Sequence, residues 1–217
     1  MKNLQPVFIF DLDGTVVNPG TAIPRCINFA LKKNGEKTVP IERLKRYIGF
    51  PLEEIFQTVT GRKDKRFLKK CVDSYRERFH KEGIAEHRLY PGIVGLLDAV
   101  AKGGNLMVAS NKPKASSEMV LEHLGIRNLF TRVYGPDVNG KAFTKEGIVK
   151  EVLSKEGVRH AVVIGDRASD IEAAKKNNCR SIGVSYGYGT REELRTAGAD
   201  LLAETVGELR QCLLQPN

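Results

Sequence analysis

The chain has 217 residues, of which 41% are hydrophobic and 28% are charged, so it is long enough for one good core and a second small domain. No apolar run approaches the roughly 20 residues that span a bilayer, and residues 1–6 lack the apolar centre of a signal peptide. We therefore expect a cytoplasmic protein without a membrane partner. The four cysteines are scattered without C-x-x-C spacing, which favours free thiols over a disulfide framework or a zinc site.

The net charge of +9 is concentrated in one segment of the chain. Residues 16–88 hold 17 Lys or Arg against 9 Asp or Glu, a net +8, whereas the rest holds 18 against 17, a net +1. Such a segment is a solvated helical face, a surface that attracts an anionic substrate, or a nucleic-acid surface. Aromatic residues that would stack on single-stranded bases are sparse in it, so we expect no nucleic-acid partner.

The first predicted element is a strand that ends in acidic residues. Residues 7–10 are four consecutive apolar residues, a pattern typical of a strand buried on both faces. Asp11 and Asp13 follow, and then Gly14. An ionised carboxylate is costly to bury without a partner, so this pair requires a nearby cation or solvent. The carboxyl ends of strands are also where open parallel sheets bind ligands.

A block of helical patterns follows this strand. Apolar residues recur at helical spacing within residues 23–31, 44–48, 52–59 and 67–79, and glycines at positions 35, 49, 61 and 83 stop the segments. We predict an inserted, all-helical cap domain over residues 16–88.

Strands and helices alternate over residues 89–217. The predicted strands cover residues 106–109, 132–134, 160–165 and 181–184, and the predicted helices cover 93–101, 113–124, 145–155 and 169–176, with two further helical segments at the end of the chain. This alternation predicts a Rossmann-like α/β core, a parallel sheet with helices on both faces, made from residues 1–15 and 89–217.

Polar residues follow the other apolar strands as well. Ser110 and Asn111 come after one of them, Asp166 and Asp170 after another, and Lys145 opens a helix. Clustered carboxylates suit Mg²⁺, while neutral donors at a helix start and a lysine suit phosphate. The pattern predicts a phosphate-plus-magnesium site in which a carboxylate attacks phosphorus and forms an aspartyl-phosphate.

Four segments resemble, in order, the four motifs of the haloacid dehalogenase-like (HAD) hydrolase superfamily. They are Asp11-Leu12-Asp13-Gly14-Thr15, Ser110-Asn111-Lys112-Pro113, Asn139-Gly140-Lys141-Ala142-Phe143-Thr144-Lys145 and Gly165-Asp166-Arg167-Ala168-Ser169-Asp170. The resemblance covers essentially the whole chain, because the helical insert falls where that family carries its cap. Residues 48–52 and 186–194 resemble its phosphoglycolate phosphatase-like branch.

The resemblance implies roles for the acidic residues. Asp11 would be the nucleophile that takes the phosphoryl group. Asp13 would protonate the leaving alkoxide and then activate the water that hydrolyses the aspartyl-phosphate. Mg²⁺ would be bound by Asp11, by the backbone carbonyl of Asp13 and by Asp166, with Asp170 bound through water or supporting the ligands.

The resemblance also implies a phosphate site. Lys145 would neutralise the charge shared by Asp11 and the phosphate, although Lys141 lies in the same motif and is the alternative. Ser110 would hydrogen-bond the phosphoryl oxygens. The remaining phosphate-binding candidates are Asn111, Gly14 and Thr15, the last two as turn residues with backbone donors. Arg167 is either a substrate contact or a surface charge, and we expect a structural role for the tyrosines of residues 186–189.

These roles predict a Mg²⁺-dependent phosphatase that acts on a small phosphomonoester such as phosphoglycolate or a nucleoside monophosphate. Asp13 argues against a dehalogenase, which has no alkoxide to protonate. A phosphomutase, a pyrophosphatase and a non-catalytic basic binding protein remain alternatives. The charge of the insert favours a substrate with a second anionic group, and Arg43, Arg46 and Gly49 are candidates to meet it. We expect a monomer or a homodimer.

Overall fold

The computed structural model describes residues 5–137 and 144–214. The chain divides into two compact units. The core unit consists of Met1–Asn18 and Leu89–Asn217, and the insert consists of Pro19–Arg88.

A six-stranded parallel sheet forms the centre of the core unit, in the strand order β5-β4-β1-β6-β7-β8. The strands in chain order are Val7–Phe10 (β1), Val17–Asn18 (β2), Arg88–Leu89 (β3), Asn105–Ala109 (β4), Arg132–Tyr134 (β5), Val162–Gly165 (β6), Arg180–Val184 (β7) and Leu201–Ala203 (β8). The short strands β2 and β3 pair separately. The predicted Rossmann-like α/β class is confirmed.

The first strand is buried on both faces, as its four apolar residues predict. One face, which includes Ile9, joins a cluster with Val149 and Val163. On the other face, Phe10 contacts Phe130 edge to face, with 6.3 Å between ring centroids. Because β1 lies between β4 and β6, the residues that follow it lie near the middle of the row formed by the carboxyl ends of the strands.

Helices connect the strands of the core unit. They are Ile93–Ala101 (α5), Lys114–His123 (α6), Lys145–Glu156 (α7), Ala168–Lys176 (α8), Arg191–Ala197 (α9) and Val206–Leu214 (α10). The predicted helices are found within two residues of these bounds. The two helical segments predicted at the end of the chain are α9 and α10, but the prediction omits β8, which lies between them. That strand has three residues and is half-buried at the sheet edge, so its sequence carries little periodicity.

The insert is helical, as predicted. Its α-helices are Ala22–Lys33 (α1), Ile41–Lys45 (α2), Leu52–Thr60 (α3) and Lys65–Arg78 (α4). A π-helical turn, Phe79–Gly83, and a 3₁₀ turn, Ile84–Glu86, continue α4. Gly61 ends α3 with φ +70°, a left-handed conformation that favours glycine. Among the helices of residues 5–137 and 144–214, none has both the length and the apolar character needed to cross a membrane.

Candidate active site

The polar residues after β1 and β6 lie side by side because the two strands are adjacent and parallel. The backbone N–H of Asp11 donates to the carbonyl of Ile164 at 2.8 Å, which continues the ladder to the ends of both strands. Asp166 follows β6 and Asp170 lies in the first turn of α8. The chain thus brings three predicted site residues from distant segments to one edge of the sheet.

Asp11, Asp166 and Asp170 form a buried carboxylate cluster in which one oxygen of each lies within 4.8 Å of the others. Asp11 is 6% exposed and Asp166 is fully buried. Within the described residues, the Asp13 side chain is not part of this group.

Lys145 supplies positive charge to the cluster. It is the first residue of α7, whose N-terminus is capped by the Thr144 hydroxyl accepting from Gly147 N at 3.2 Å. The Lys145 ammonium donates to Asp11 Oδ1 and, at 2.7 Å, to the carbonyl of Ala109, and it lies 2.8 Å from Asp170 Oδ1. The alternative, Lys141, lies outside the described residues.

Burial and like charges shift the titration of this cluster. Burial raises the pKa of Asp11 to about 7, against the attraction of Lys145, and Asp170 and Asp13 add repulsion. Burial, with repulsion from Asp11 and Asp170, also raises the pKa of Asp166 well above its ordinary value. Burial alone would lower the pKa of Lys145, but Asp11 and Asp170 outweigh it and raise that pKa. The lysine is therefore charged, and the carboxylates favour a further cation.

Two glycines pack closely against the Asp166 side chain. Gly14 has φ +101°, and a Cβ added there would lie 2.2 Å from Asp166 Oδ2. A Cβ at Gly187 would lie 2.5 Å from Asp166 Cβ. The carboxylate also accepts from Tyr188 N–H, at 2.8 Å from Oδ2, and from the Thr15 hydroxyl, at 3.4 Å from Oδ1. Asp166 is thus held between two loops that only small residues allow to approach.

The turn after β1 uses the backbone donors that we expected to bind phosphate. Gly14 N donates to Val17 O at 2.8 Å, and Thr15 N donates to Leu12 O at 3.3 Å. As phosphate ligands, Gly14 and Thr15 therefore do not fit this geometry, since their N–H groups are engaged within the turn. The part of the prediction that makes them turn residues does fit these hydrogen bonds.

The second predicted motif lies in the loop between β4 and α6. Ser110 is 3% exposed, and its N–H donates to Tyr134 O at 3.1 Å. Asn111 is partly exposed beside it. The Ser110 hydroxyl oxygen accepts from Lys112 N at 3.2 Å, which leaves its proton to donate to a ligand.

Lys112 is a site residue that sequence reasoning missed. Its ammonium lies 2.7 Å from each carboxylate oxygen of Asp13. The two side chains are only 8% and 7% exposed. The residue stands inside the second motif, so its place in the sequence was a signal, but no pattern indicated which acid it would contact.

The tyrosines of residues 186–189 anchor the turn after β1. Tyr186 donates to the carbonyl of Thr15 at 2.9 Å, and Tyr188 donates to Asn18 Oδ1 at 2.7 Å. Arg167 contacts protein groups, since Nη1 donates to Tyr188 O at 3.0 Å and Nε lies 3.4 Å from Glu193. These contacts agree with a structural role for the tyrosines.

The charges of the site fit a divalent cation. Lys112 contacts Asp13, and Lys145 contacts Asp11 and Asp170. Asp166 adds a fourth carboxylate, so when all groups are ionised the two ammonium groups leave two negative charges uncompensated. The cluster of Asp11, Asp166 and Asp170 offers only oxygen ligands, which hard cations such as Mg²⁺ prefer.

A parallel sheet with a lysine and clustered carboxylates at the carboxyl ends of its strands defines an α/β enzyme whose site suits a cation and an anionic substrate. The comparison with known families agrees. The chain belongs to the haloacid dehalogenase-like hydrolase family, whose model matches residues 8–184. The resemblance inferred from the four motifs is thereby confirmed.

Individual relatives are similar over most of their length. A 5'-nucleotidase of Pseudomonas aeruginosa is 36% identical over 211 residues, which are 96% of this chain and 95% of that protein. A phosphoglycolate phosphatase of Agrobacterium fabrum is 30% identical over 196 residues, which are 86% of this chain and 83% of that protein. The crystal structure of a predicted phosphatase from Clostridium acetobutylicum superposes with a TM-score of 0.91 at 33% identity, over 98% of this chain and 99% of that one.

Proposed function

We propose that the protein is a Mg²⁺-dependent phosphatase that hydrolyses a small phosphomonoester through an aspartyl-phosphate. The observation that carries this proposal is the buried contact of Lys145 with Asp11 and Asp170, beside Asp166. An anionic nucleophile needs positive charge to approach an anionic phosphoryl group, and this cluster combines an ammonium with oxygen ligands for a cation. The family and the names of the relatives support the same class of reaction.

Asp11 is the nucleophile in this proposal. One of its carboxylate oxygens attacks phosphorus, the bond from phosphorus to the leaving oxygen breaks, and the phosphoryl group is transferred to Asp11. Lys145 lowers the repulsion between the two anions. The Ser110 hydroxyl and the Asn111 side chain orient the phosphoryl oxygens.

Asp13 moves the proton in both halves of the reaction. Its carboxyl group donates a proton to the leaving alkoxide, and the resulting carboxylate then takes a proton from the water that attacks the aspartyl-phosphate. Inorganic phosphate leaves and Asp11 is restored. Asp11, Asp166 and the backbone carbonyl of Asp13 would hold Mg²⁺, and Asp170 would support them. When bound, Mg²⁺ supplies positive charge that stabilises the phosphoryl oxygens.

The substrate we favour carries a second anionic group, as phosphoglycolate and nucleoside monophosphates do. The insert supports this choice, since residues 19–88 carry a net +8. Arg43 and Arg46 are exposed on it and Gly49 follows them with φ +94°. We propose that the insert acts as a cap and that this segment contacts the substrate. Comparable kcat/KM values for neutral sugar phosphates and for phosphoglycolate would contradict this preference.

The experiment that tests the reaction is hydrolysis of p-nitrophenyl phosphate with Mg²⁺ and with a chelator. We expect Mg²⁺-dependent turnover that Asp11→Asn lowers by at least about 10³-fold while the thermal transition is kept. A panel of phosphomonoesters, with pyrophosphate included, then ranks substrates by kcat/KM. Salt-sensitive binding to nucleic acid without turnover would instead support a basic binding protein, and phosphoryl transfer between substrate positions would support a mutase.

A further inference from the structure

The ion pair of Lys112 and Asp13 is buried beside the carboxylate cluster. Both oxygens of Asp13 lie 2.7 Å from the Lys112 ammonium. An exposed pair contributes little free energy, but loss of one partner from a buried pair leaves a charge without compensation. Because the two side chains are only 8% and 7% exposed, the second case applies to this ion pair.

The backbone around Lys112 is fixed by its neighbours. Its N–H donates to the Ser110 hydroxyl at 3.2 Å, and its carbonyl accepts from the Ser117 hydroxyl at 3.4 Å. A Cβ added at Gly135 would lie 2.5 Å from the Lys112 carbonyl oxygen, so the next loop also packs closely against it. The lysine therefore extends toward Asp13 from a rigid support.

The two lysines of the site serve different acids. Lys145 contacts Asp11 and Asp170, whereas Lys112 contacts Asp13. A proton transfer from Asp13 to the leaving oxygen creates a carboxylate at the point where the Lys112 ammonium lies. A fixed charge at the place where charge develops lowers the barrier of that step.

We propose that Lys112 is a positioning residue that holds the Asp13 carboxyl group toward the leaving oxygen and stabilises the carboxylate formed when its proton departs. The inference rests on the proposed function, because it assumes that Asp13 is the proton donor. In this step the P–O bond breaks, the proton of Asp13 binds the departing oxygen, and the electron pair of the O–H bond stays on Asp13. Lys112 itself exchanges no proton.

The test compares leaving groups. An alkyl phosphate needs a proton on its leaving oxygen, whereas 2,4-dinitrophenyl phosphate releases a stable phenolate without one. Lys112→Met should lower kcat/KM for the alkyl phosphate by about 10- to 100-fold, and for the dinitrophenyl ester by less than about threefold. The ratio kcat/KM is used because it reports the steps up to phosphoryl transfer, before the hydrolysis that all substrates share.

Three further variants complete the experiment. Lys112→Arg keeps the charge and should restore most of the alkyl phosphate activity. Lys114→Met, which changes an exposed lysine two residues away, is the matched control and should leave both rates unchanged. In an Asp13→Asn background, Lys112→Met should cause no further loss, since the two residues act as one unit.

Other results would overturn the inference. Equal losses for the two esters, or a loss that persists in Asp13→Asn, would mean that Lys112 binds the phosphoryl group or serves only the fold. If Lys112→Met does not give a cooperative thermal transition, Lys112→Gln, which keeps a donor without the charge, provides the same comparison. A wild-type protein without Mg²⁺-dependent turnover of either ester would overturn the proposed function itself.

Discussion

The ammonium group of Lys145 donates to the carboxylate of Asp11, although the two residues lie 134 positions apart in the chain. Asp11 directly follows the central strand β1, and Lys145 begins α7. The helix packs against the sheet, with its residues Ile148 and Val149 in the same apolar cluster as Ile9 of β1. The packing of the core therefore determines which lysine reaches which acid.

Replacement of Lys145 should affect both rate and stability. Lys145→Met should lower kcat by about 10²–10³-fold, because the phosphoryl charge is no longer neutralised. Lys145 lowers the pKa of Asp11, so its removal raises that pKa further and favours the protonated acid in the folded state. The stability loss should thus be smaller at pH 5 than at pH 8, where it should reach about 3–5 kcal/mol.

Urea denaturation at the two pH values measures this loss. The matched control is Lys150→Met, which removes an exposed lysine from the same helix and should change neither rate nor stability. A loss of stability at pH 5 equal to that at pH 8 would contradict the assigned role of the buried acids.

The raised pKa of Asp11 predicts how the metal-free protein responds to pH. Between about 3.8, its ordinary value, and about 7, the folded state keeps a proton that the unfolded state has released. The contribution of Asp11 to stability therefore falls as pH rises through this window. Mg²⁺ favours the ionised acid, so it should raise the melting temperature more at pH 8 than at pH 5.

Thermal melts with Mg²⁺ and with a chelator check this prediction. Asp11→Asn should flatten the pH dependence of the metal-free protein and reduce the shift caused by Mg²⁺. A shift that is equal at both pH values in the wild type would show that the cation does not bind at Asp11.

Gly14 should tolerate no side chain. Alanine there must adopt φ near +101° and place its Cβ 2.2 Å from the fully buried Asp166 carboxylate. The left-handed backbone costs about 1–2 kcal/mol, and the overlap adds about 1–3 kcal/mol. Gly125→Ala is the control, because Gly125 has φ +71° with open space around it and should lose only the first amount.

Denaturation measures both losses, and titration calorimetry with Mg²⁺ separates the effect on the site. We expect weaker binding of Mg²⁺ by Gly14→Ala and unchanged binding by Gly125→Ala. Equal stability of the two variants would argue against close contact between Gly14 and Asp166.

The hydroxyl of Tyr186 should serve stability rather than substrate binding. It donates to the Thr15 carbonyl at 2.9 Å, and the ring contacts Tyr90, with 4.9 Å between centroids. Tyr186→Phe should cost about 0.5–1.5 kcal/mol and leave KM within twofold of the wild-type value. A large rise in KM at unchanged stability would assign the hydroxyl to the substrate.

Much of the sheet and of its edge could be predicted from sequence. Residues 7–10 are apolar throughout because β1 is buried on both faces, and adjacent parallel strands necessarily bring Asp11 and Asp166 together. Lys145 opens a predicted helix, and it is the first residue of α7. These features follow from local periodicity combined with the geometry of parallel sheets.

Other features depend on contacts that no local pattern encodes. Strand β8 has three residues, and it forms by pairing with β7 rather than by its own propensity. The contact of Lys112 with Asp13 requires the conformation of a loop and the reach of a long side chain. From the sequence alone, the N–H groups of Gly14 and Thr15 could donate either to a phosphate or to carbonyls of their own turn. The folded turn shows that they donate to its carbonyls.

Every described residue that we assign to the chemical step lies in the core unit, in two stretches separated by the insert Pro19–Arg88. The residues that carry out the reaction and those proposed to select the substrate would then lie in separate segments of the chain. The inserted helices are free to diverge, or to be exchanged between homologous enzymes, without altering a single group that handles phosphorus. A chimaera bearing a foreign insert should therefore keep its chemistry and change its preferred ester.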